Sequence, residues 1–170
     1  RGLKVAAVER DAGVYALPRA VVLDGEIVRA LQPAGIAEAV DALLQKVRPG
    51  DRAGFANSRR EWLFGQDAAP FGMNGWQPSC FFSQPELEGY LRAQVQRHPN
   101  ITAHVPATVG GFSQDDAGVT LQFTAEGDTL PRSLRASWLV ACDGASSFTR
   151  RSLGIEWRSL GYDHDWLVVD

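Results

Sequence analysis

Three side chains in this sequence suit a ligand that carries sugar hydroxyls and phosphate. They are the carboxylates of Glu9 and Asp143 and the guanidinium of Arg19. A carboxylate accepts hydrogen bonds from a sugar diol, and a guanidinium presents a planar fork that fits phosphate oxygens. No Ser/His/Asp or Cys/His grouping is evident in the sequence, so it names no catalytic residue.

Glu9 comes directly after the apolar run 5–8, which predicts a strand buried on both faces in a parallel sheet. An acid at the carboxyl end of such a strand can bind the ribose diol of a dinucleotide. The alternative is a solvated acid at a strand end, which is a common feature of protein surfaces. The glycine-rich turn that would hold a pyrophosphate does not precede Glu9, and we expect it upstream of Arg1.

Arg19 follows Pro18, and the proline favours an extended or turn conformation for Leu17. An arginine held at this point can bind phosphate through two parallel hydrogen bonds. The alternative interpretation is an ordinary ion pair at the surface.

The pair Asp143-Gly144 follows the apolar run 138–142, which predicts a buried strand. That strand would deliver Asp143 to the carboxyl edge of the sheet, where ligands bind in α/β folds. Gly144 would permit close approach of a ligand, and the small residues 145–147 would leave the next helix start open to an anion. The alternative is a plain strand–turn–helix junction in which Asp143 caps the helix.

The sequence predicts neither a metal site nor a pair of cysteines that act together. Residues 163–165, Asp-His-Asp, resemble metal ligands, but neighbours on an extended chain point to opposite faces, so we predict no metal site. Cys142 is expected to be a small buried hydrophobic residue. Cys80 and Cys142 lie far apart and form no CxxC pair, which fits a reduced, cytoplasmic setting.

The elements that would position these residues alternate between strand and helix. Helices are predicted over 24–32 and 36–47, and short strands with loops over 51–82. Ser83 and Glu86 form a predicted capping box at the start of a helix that ends near residue 98. Strands are predicted over 101–105, 108–112, 119–123 and 134–141. The order predicts an α/β domain with an antiparallel insertion.

The chain has 170 residues and a net charge of −3, with scattered basic residues, so neither nucleic acid nor an anionic membrane is an expected partner. No apolar run approaches the ~20 residues of a membrane span. The sequence starts without Met and ends in a strand-like run, so we interpret it as an internal piece of a longer protein.

Several stretches, in this order and spacing, resemble the group A flavoprotein aromatic hydroxylases, the para-hydroxybenzoate hydroxylase-like FAD monooxygenases. The stretches are residues 15–20, 83–86, 138–144 with 147–151, and 166–170. The resemblance implies a partial Rossmann-like FAD-binding domain with a parallel sheet and an antiparallel β-meander, formed by residues 1–50 and 83–155. It also implies the start of a substrate-binding sheet, formed by residues 51–82 and 156–170.

The resemblance further implies the cofactor-binding residues. Glu9, with Arg10 beside it, matches the acid that binds the FAD adenosine ribose. Arg19 matches an arginine that lies along the FAD pyrophosphate and influences NAD(P)H use. Gln84 matches a glutamine at the ribityl and phosphate region. The Asp143-Gly144 pair matches the DG motif, which is implicated in both FAD and NAD(P)H binding.

A flavoprotein monooxygenase of this kind would use FAD, NAD(P)H and O₂ to hydroxylate a phenolic aromatic acid such as 3-(3-hydroxyphenyl)propionate. The alternatives are a related monooxygenase that acts on a larger polyketide or antibiotic, and a non-catalytic flavin-binding fragment. The expected partner is the small aromatic substrate, and the resemblance leaves room for a homodimer. Two family elements are not in the sequence: the GxGxxG turn, and the Gly-Asp motif that is expected after Asp170.

Overall fold

The computed structural model describes residues 2–17, 19–48, 50–162 and 164–165. The α-helices are α1 (Gly25–Leu31), α2 (Ala37–Asp41), α3 (Gln84–Arg97) and α4 (Phe148–Ser152). The strands, in chain order, are β1 (Val5–Val8), β2 (Val22–Asp24), β3 (Gln45–Lys46), β4 (Arg52–Ala56), β5 (Trp62–Asp67), β6 (Ser79–Phe81), β7 (Ile101–His104), β8 (Ala107–Asp115), β9 (Gly118–Ala125) and β10 (Arg132–Ala136).

A parallel strand pair carries the first predicted site residue. β1 pairs with β7 in register, from Val5 opposite Ile101 to Val8 opposite His104. The predicted strand is therefore confirmed. Its predicted burial on both faces is wrong, because β1 pairs with β7 alone among the described strands and Val5 stays 48% exposed.

The antiparallel meander is confirmed, and it supplies one of two cores. β9 lies between β8 and β10, and its side chains alternate between the core and solvent. Leu121 and Phe123 are buried together with Ala107 of β8. Val8 of β1 packs against this cluster, so the meander supports the strand that carries Glu9.

The second core joins α1 and α2 to the antiparallel sheet β2–β6–β3. Its buried members are Val28, Ala37, Leu44 and Cys80. Asp24 is the N-cap residue of α1, although its side chain makes no cap hydrogen bond. The hairpin β4–β5 forms a separate two-stranded sheet within the region that the sequence predicts as short strands and loops.

The helix predicted over 36–47 is too long, because α2 ends at Asp41. Residues 45–46 form β3 and pair with β6 instead. The buried carboxamide of Gln77 then binds the next residue, since its oxygen accepts the Val47 N–H at 3.1 Å and its nitrogen donates to the Val47 carbonyl at 2.9 Å. These non-local hydrogen bonds override the local helical pattern.

The long helix α3 has the predicted bounds, with Ser83 at the N-cap and Pro85 in the first turn. The predicted capping box is wrong, because the Ser83 side chain makes no cap hydrogen bond. Three apolar residues that share one face of α3, Leu87, Leu91 and Val95, are only half-buried. α3 packs against β7 and thereby faces the parallel pair.

The strand predicted over 134–141 ends at Ala136, and residues 138–142 form no strand. No described strand pairs with these residues, and an unpaired segment lacks the hydrogen-bond ladder that defines a strand. Trp138 and Val140 are therefore 86% and 81% exposed. Cys142 is exposed, so its predicted burial is also wrong. Leu139 alone of this run packs against the meander core.

Two sequence predictions lie outside the described residues. The strand-like motif at 166–170 is one, and Asp163 of the Asp-His-Asp run is the other. Within the described part of the chain, no three potential metal ligands come together. The same residues contain no helix with the length and apolar character needed to cross a membrane.

Candidate functional site

Glu9 lies at the carboxyl end of β1, where the sequence places it. Its backbone is held on both sides: the Glu9 N–H donates to the His104 carbonyl at 3.0 Å, and its carbonyl accepts the Ala107 N–H at 2.7 Å. One carboxylate oxygen accepts the Asp11 N–H at 2.7 Å. The second oxygen accepts no hydrogen bond from the described residues, so this half-buried carboxylate keeps acceptor capacity for a ligand.

Arg10 and Asp11 complete the turn after β1. The Arg10 side chain is exposed and lies 3.4 Å from the Asp11 carboxylate, which makes it a weak surface pair. The Asp11 carbonyl accepts a hydrogen bond from the guanidinium of Arg92 on α3 at 3.1 Å. Arg92 is in turn held by Glu88, one helical turn earlier, at 2.9 Å. The turn that follows Glu9 is therefore fixed to the middle of α3.

Arg19 is fixed to the first turn of the same helix. The carboxamide oxygen of Gln84 accepts the N–H groups of Arg19 at 3.1 Å and of Ala20 at 3.0 Å. Only an oxygen can accept both donors, and the Gln84 nitrogen donates to no acceptor among the residues that the structure describes. The Arg19 guanidinium lies 4.1 Å from the centre of the Tyr15 ring. No carboxylate of the described residues lies within ion-pair distance of it, so the surface ion pair considered as an alternative is not formed.

One helix thus sets the spacing between the two segments. Gln84 and Arg92 are eight residues apart, which is about 12 Å along a helix axis at 1.5 Å per residue. Gln84, Glu88 and Arg92 recur at every fourth position, so they share one face of α3. The helix therefore anchors the segment that follows the Glu9 carboxylate and the segment that carries the Arg19 guanidinium, two groups that suit the sugar and phosphate parts of an extended ligand.

Asp143 and Gly144 form a tight junction before α4. The Asp143 carboxylate accepts the Thr149 N–H at 2.9 Å, and the Ser147 side chain caps the helix by accepting the Arg150 N–H at 2.9 Å. Gly144 adopts the left-handed conformation with φ of 73°, which glycine tolerates best. The helix-cap alternative is therefore observed, since Asp143 accepts a backbone N–H from the first turn of α4.

Hydrogen bonds hold the pKa of Asp143 well below the ordinary value of 3.8, at about 2. The Ser147 hydroxyl is the main cause, and the Thr149 backbone N–H follows. Both donors stabilise the charged form, so the carboxylate is ionised throughout the neutral range.

The structure attaches the turn after Glu9 and Arg10 to α3 through Asp11, and the Arg19 backbone to α3 through Gln84, whereas Asp143 and Gly144 form a separate junction. No hydrogen bond among the described residues joins Asp143 to the α3 group. An open cavity of about 390 Å³ lies elsewhere, between the α2–β3 turn and the loop before β6. None of the predicted cofactor-binding residues lines it; its walls include Asp41, Lys46, Phe71, Trp76 and Gln77.

A family model described as "FAD binding domain" matches residues 1–170, the whole chain. The chain belongs to this family of FAD-binding domains. The resemblance read from the sequence is confirmed, and with it the α/β fold class and FAD as the cofactor. None of these observations tests the proposed domain division or the individual site residues.

A curated relative of this FAD-binding domain is the 3-(3-hydroxy-phenyl)propionate/3-hydroxycinnamic acid hydroxylase of Klebsiella pneumoniae subsp. pneumoniae. It is 32% identical over 170 residues, which is 99% of this chain and 30% of the relative. The chain therefore spans about 30% of the length of that relative.

Two solved structures share the fold. The p-nitrophenol 4-monooxygenase of Pseudomonas putida DLL-E4 matches with a TM-score of 0.74 at 23% identity, over 90% of this chain and 38% of its own. Aklavinone-11 hydroxylase, solved with FAD and aklavinone, matches with a TM-score of 0.67 at 27% identity, over 90% of this chain and 30% of its own.

The residues of this FAD-binding domain fit the group that the family name implies. FAD carries ribose hydroxyls and a doubly charged pyrophosphate, and the segments attached to α3 offer the Glu9 carboxylate as an acceptor and the Arg19 guanidinium, which has no carboxylate partner among the described residues. Two contributors were missed in the sequence. For Tyr15, the sequence offers only its place in the stretch 15–20, which does not predict the contact with Arg19. Arg92 could have been predicted to lie on the same helix face as Gln84 and Glu88, because the three residues recur at every fourth position.

Proposed function

We propose that the full-length protein is an FAD-dependent monooxygenase that uses NAD(P)H and O₂ to hydroxylate a phenolic aromatic acid. One observation carries this proposal: a hydroxylase named for 3-(3-hydroxy-phenyl)propionate and 3-hydroxycinnamic acid aligns with 99% of the chain. The substrate class follows from that relative's name. In our proposal the enzyme acts in the cytoplasm, which agrees with two free cysteines in the described part of the chain.

Each site residue has a stated role in the proposal. Glu9 accepts hydrogen bonds from the adenosine ribose of FAD, with Arg10 beside it at the open edge. Arg19 binds the pyrophosphate. Gln84 fixes the Arg19 backbone with its oxygen and donates to the ribityl or phosphate region with its free nitrogen. The Asp143-Gly144 pair contributes to FAD and NAD(P)H binding at the start of α4.

The chemistry is divided between cofactor and protein. When bound, FAD supplies the redox chemistry that couples NAD(P)H oxidation to O₂ activation. The protein binds and orients the cofactor and keeps water from the reacting atoms. We assign cofactor binding to residues 1–50 and 83–155, and part of the substrate-binding domain to residues 51–82 and 156–170. The exposed aromatic side chains of the β4–β5 hairpin support the second assignment, because such a sheet face needs a cover.

A second candidate is hydroxylation of a larger polycyclic substrate. Aklavinone-11 hydroxylase, at 27% identity over 90% of this chain, favours it. The two candidates share the cofactor-binding half and differ only in the substrate cavity. A flavin-binding protein without hydroxylase activity is the third candidate, and it shares the same half.

The test is NAD(P)H consumption by the FAD-loaded full-length protein, with and without a panel of phenolic acids and one polycyclic phenol. We expect a phenolic acid such as 3-(3-hydroxyphenyl)propionate to stimulate NAD(P)H oxidation with a matching amount of hydroxylated product. Stimulation by the polycyclic compound alone would establish the second candidate. Bound FAD without stimulation or product from any compound would leave a non-hydroxylating flavoprotein.

A further inference from the structure

Arg19 carries a charge that lies against an aromatic ring and that no carboxylate of the described residues neutralises. Its guanidinium carbon lies 4.1 Å from the centre of the Tyr15 ring, well within the 6 Å range of a cation–π contact. Tyr15 is 45% exposed, so the stacked pair is open to solvent and to a ligand. Within the described residues the head group donates no hydrogen bond to a protein acceptor.

Two other arginines of the described chain stack on aromatic rings, and both are engaged by the protein. Arg52 lies over Trp62 at 5.1 Å and is 3.6 Å from the Asp67 carboxylate. Arg150 lies over Trp157 at 5.3 Å and donates to the Ile155 carbonyl at 2.9 Å. Arg19 has the shortest stacking distance of the three and a fork that is free for an outside acceptor.

The backbone of Arg19 is restrained independently of its side chain. Gln84 accepts two consecutive N–H groups, those of Arg19 and Ala20, from the first turn of α3. The main chain is therefore fixed by the helix, and the direction of the side chain is fixed by the Tyr15 ring. An arginine restrained at both ends loses less conformational freedom when an anion binds, which raises affinity.

We propose that Tyr15 is a positioning residue for Arg19: its ring holds the guanidinium ready for the pyrophosphate of FAD and so raises the affinity for the cofactor. The inference rests on the proposed function, because that function supplies the anion. The aromatic face is the operative group, and the phenol hydroxyl takes no part. We therefore expect a phenylalanine at position 15 to preserve FAD affinity and a leucine to reduce it.

The test measures the dissociation constant of FAD by flavin fluorescence, on the apoprotein of the full-length protein. Tyr15→Leu should weaken FAD binding about two- to fivefold, the size of an exposed cation–π contact. Tyr15→Phe should stay within twofold of wild type. Tyr162→Leu is the matched control, since Tyr162 is 80% exposed and no arginine of the described chain stacks on it. We expect wild-type affinity for it.

A double-mutant cycle with Arg19→Met separates positioning from other roles. If Tyr15 acts through Arg19, then Tyr15→Leu has no further effect on FAD affinity once Arg19 is replaced. An equal loss in both backgrounds, or wild-type affinity in Tyr15→Leu, would overturn the inference and leave the proposed function intact. If Arg19→Met binds FAD as tightly as the wild type, then Arg19 does not contribute to FAD affinity and the inference that Tyr15 acts through it is overturned. A full-length protein that binds no FAD would overturn the proposed function as well.

Discussion

At the residue scale, Asp143 shows how local hydrogen bonds keep a carboxylate ionised at the start of a helix. Its pKa is about 2 because the Ser147 hydroxyl and the Thr149 N–H both donate to the charged form. A lowered pKa in the folded state means that the stabilisation is present above the ordinary value of 3.8 and is lost as the pH falls towards 2. The junction should therefore be insensitive to pH from mildly acidic to alkaline solution.

We predict that Ser147→Ala raises the pKa of Asp143 towards its ordinary value, because the largest stabilising donor is removed. The measurement is an NMR titration of the Asp143 carboxyl carbon in the wild type and the variant. Ser146→Ala is the control, since its hydroxyl makes no hydrogen bond to Asp143. An unchanged titration in Ser147→Ala would show that the backbone donor alone sets the pKa.

At the element scale, Gln77 joins three segments of the second core. Its carboxamide holds both backbone groups of Val47, and the same oxygen lies 3.2 Å from the Cys80 sulfur. A buried backbone N–H or carbonyl that loses its partner costs about 1–3 kcal/mol. By binding the Val47 backbone, Gln77 stabilises the extended chain directly after β3, where the sequence pattern predicts a helix.

Gln77→Met should lower the free energy of unfolding by about 1–3 kcal/mol, since it keeps the volume and removes the hydrogen bonds to Val47. Gln96→Met is the control: Gln96 is exposed on α3, and its replacement should change stability by less than about 0.5 kcal/mol. Denaturant unfolding of both variants gives the comparison. If Gln77→Met is as stable as Gln96→Met, then water satisfies the Val47 backbone groups as well as the carboxamide does.

The sequence predicts well those elements whose causes are local. The Asp115–Gly118 turn and the alternation in β9 predict the meander, and the Ser-x-Pro start predicts α3. It fails where pairing is non-local, as at β3 and at residues 138–142. The site divides in the same way. The position of Glu9 can be predicted because it comes directly after a strand. The contact between Tyr15 and Arg19 cannot, because it depends on the path of a loop, and a loop has no periodic sequence pattern.

At the scale of the whole molecule, the chain exposes far more surface than its mass predicts. Its accessible surface is 13506 Å², whereas a compact monomer of 18.5 kDa has about 8,200 Å². Large apolar side chains make up part of this excess, among them Trp138, Val140, Phe71 and Met73. Such a surface is typical of a domain that other polypeptide covers.

We predict that residues 1–170, produced alone, bind the dye ANS strongly, whereas the full-length protein does not. The reason is the exposed apolar surface, which ANS reports directly. The measurement is ANS fluorescence at equal molar concentration of the two proteins, with near-ultraviolet circular dichroism as the check on tertiary packing. Weak dye binding by the isolated chain would show that the segment rearranges to bury its own apolar groups.

The attachment of two segments to one helix has a consequence for engineering. Because Arg92 and Gln84 hold the turn after β1 and the Arg19 backbone, the distance between those segments is a property of α3 and not of the connection between them. We therefore expect residues 12–14 to accept an insertion or a graft while the two anchored ends keep their places. A reporter dye or a redox partner peptide attached there would lie beside the FAD site that we propose.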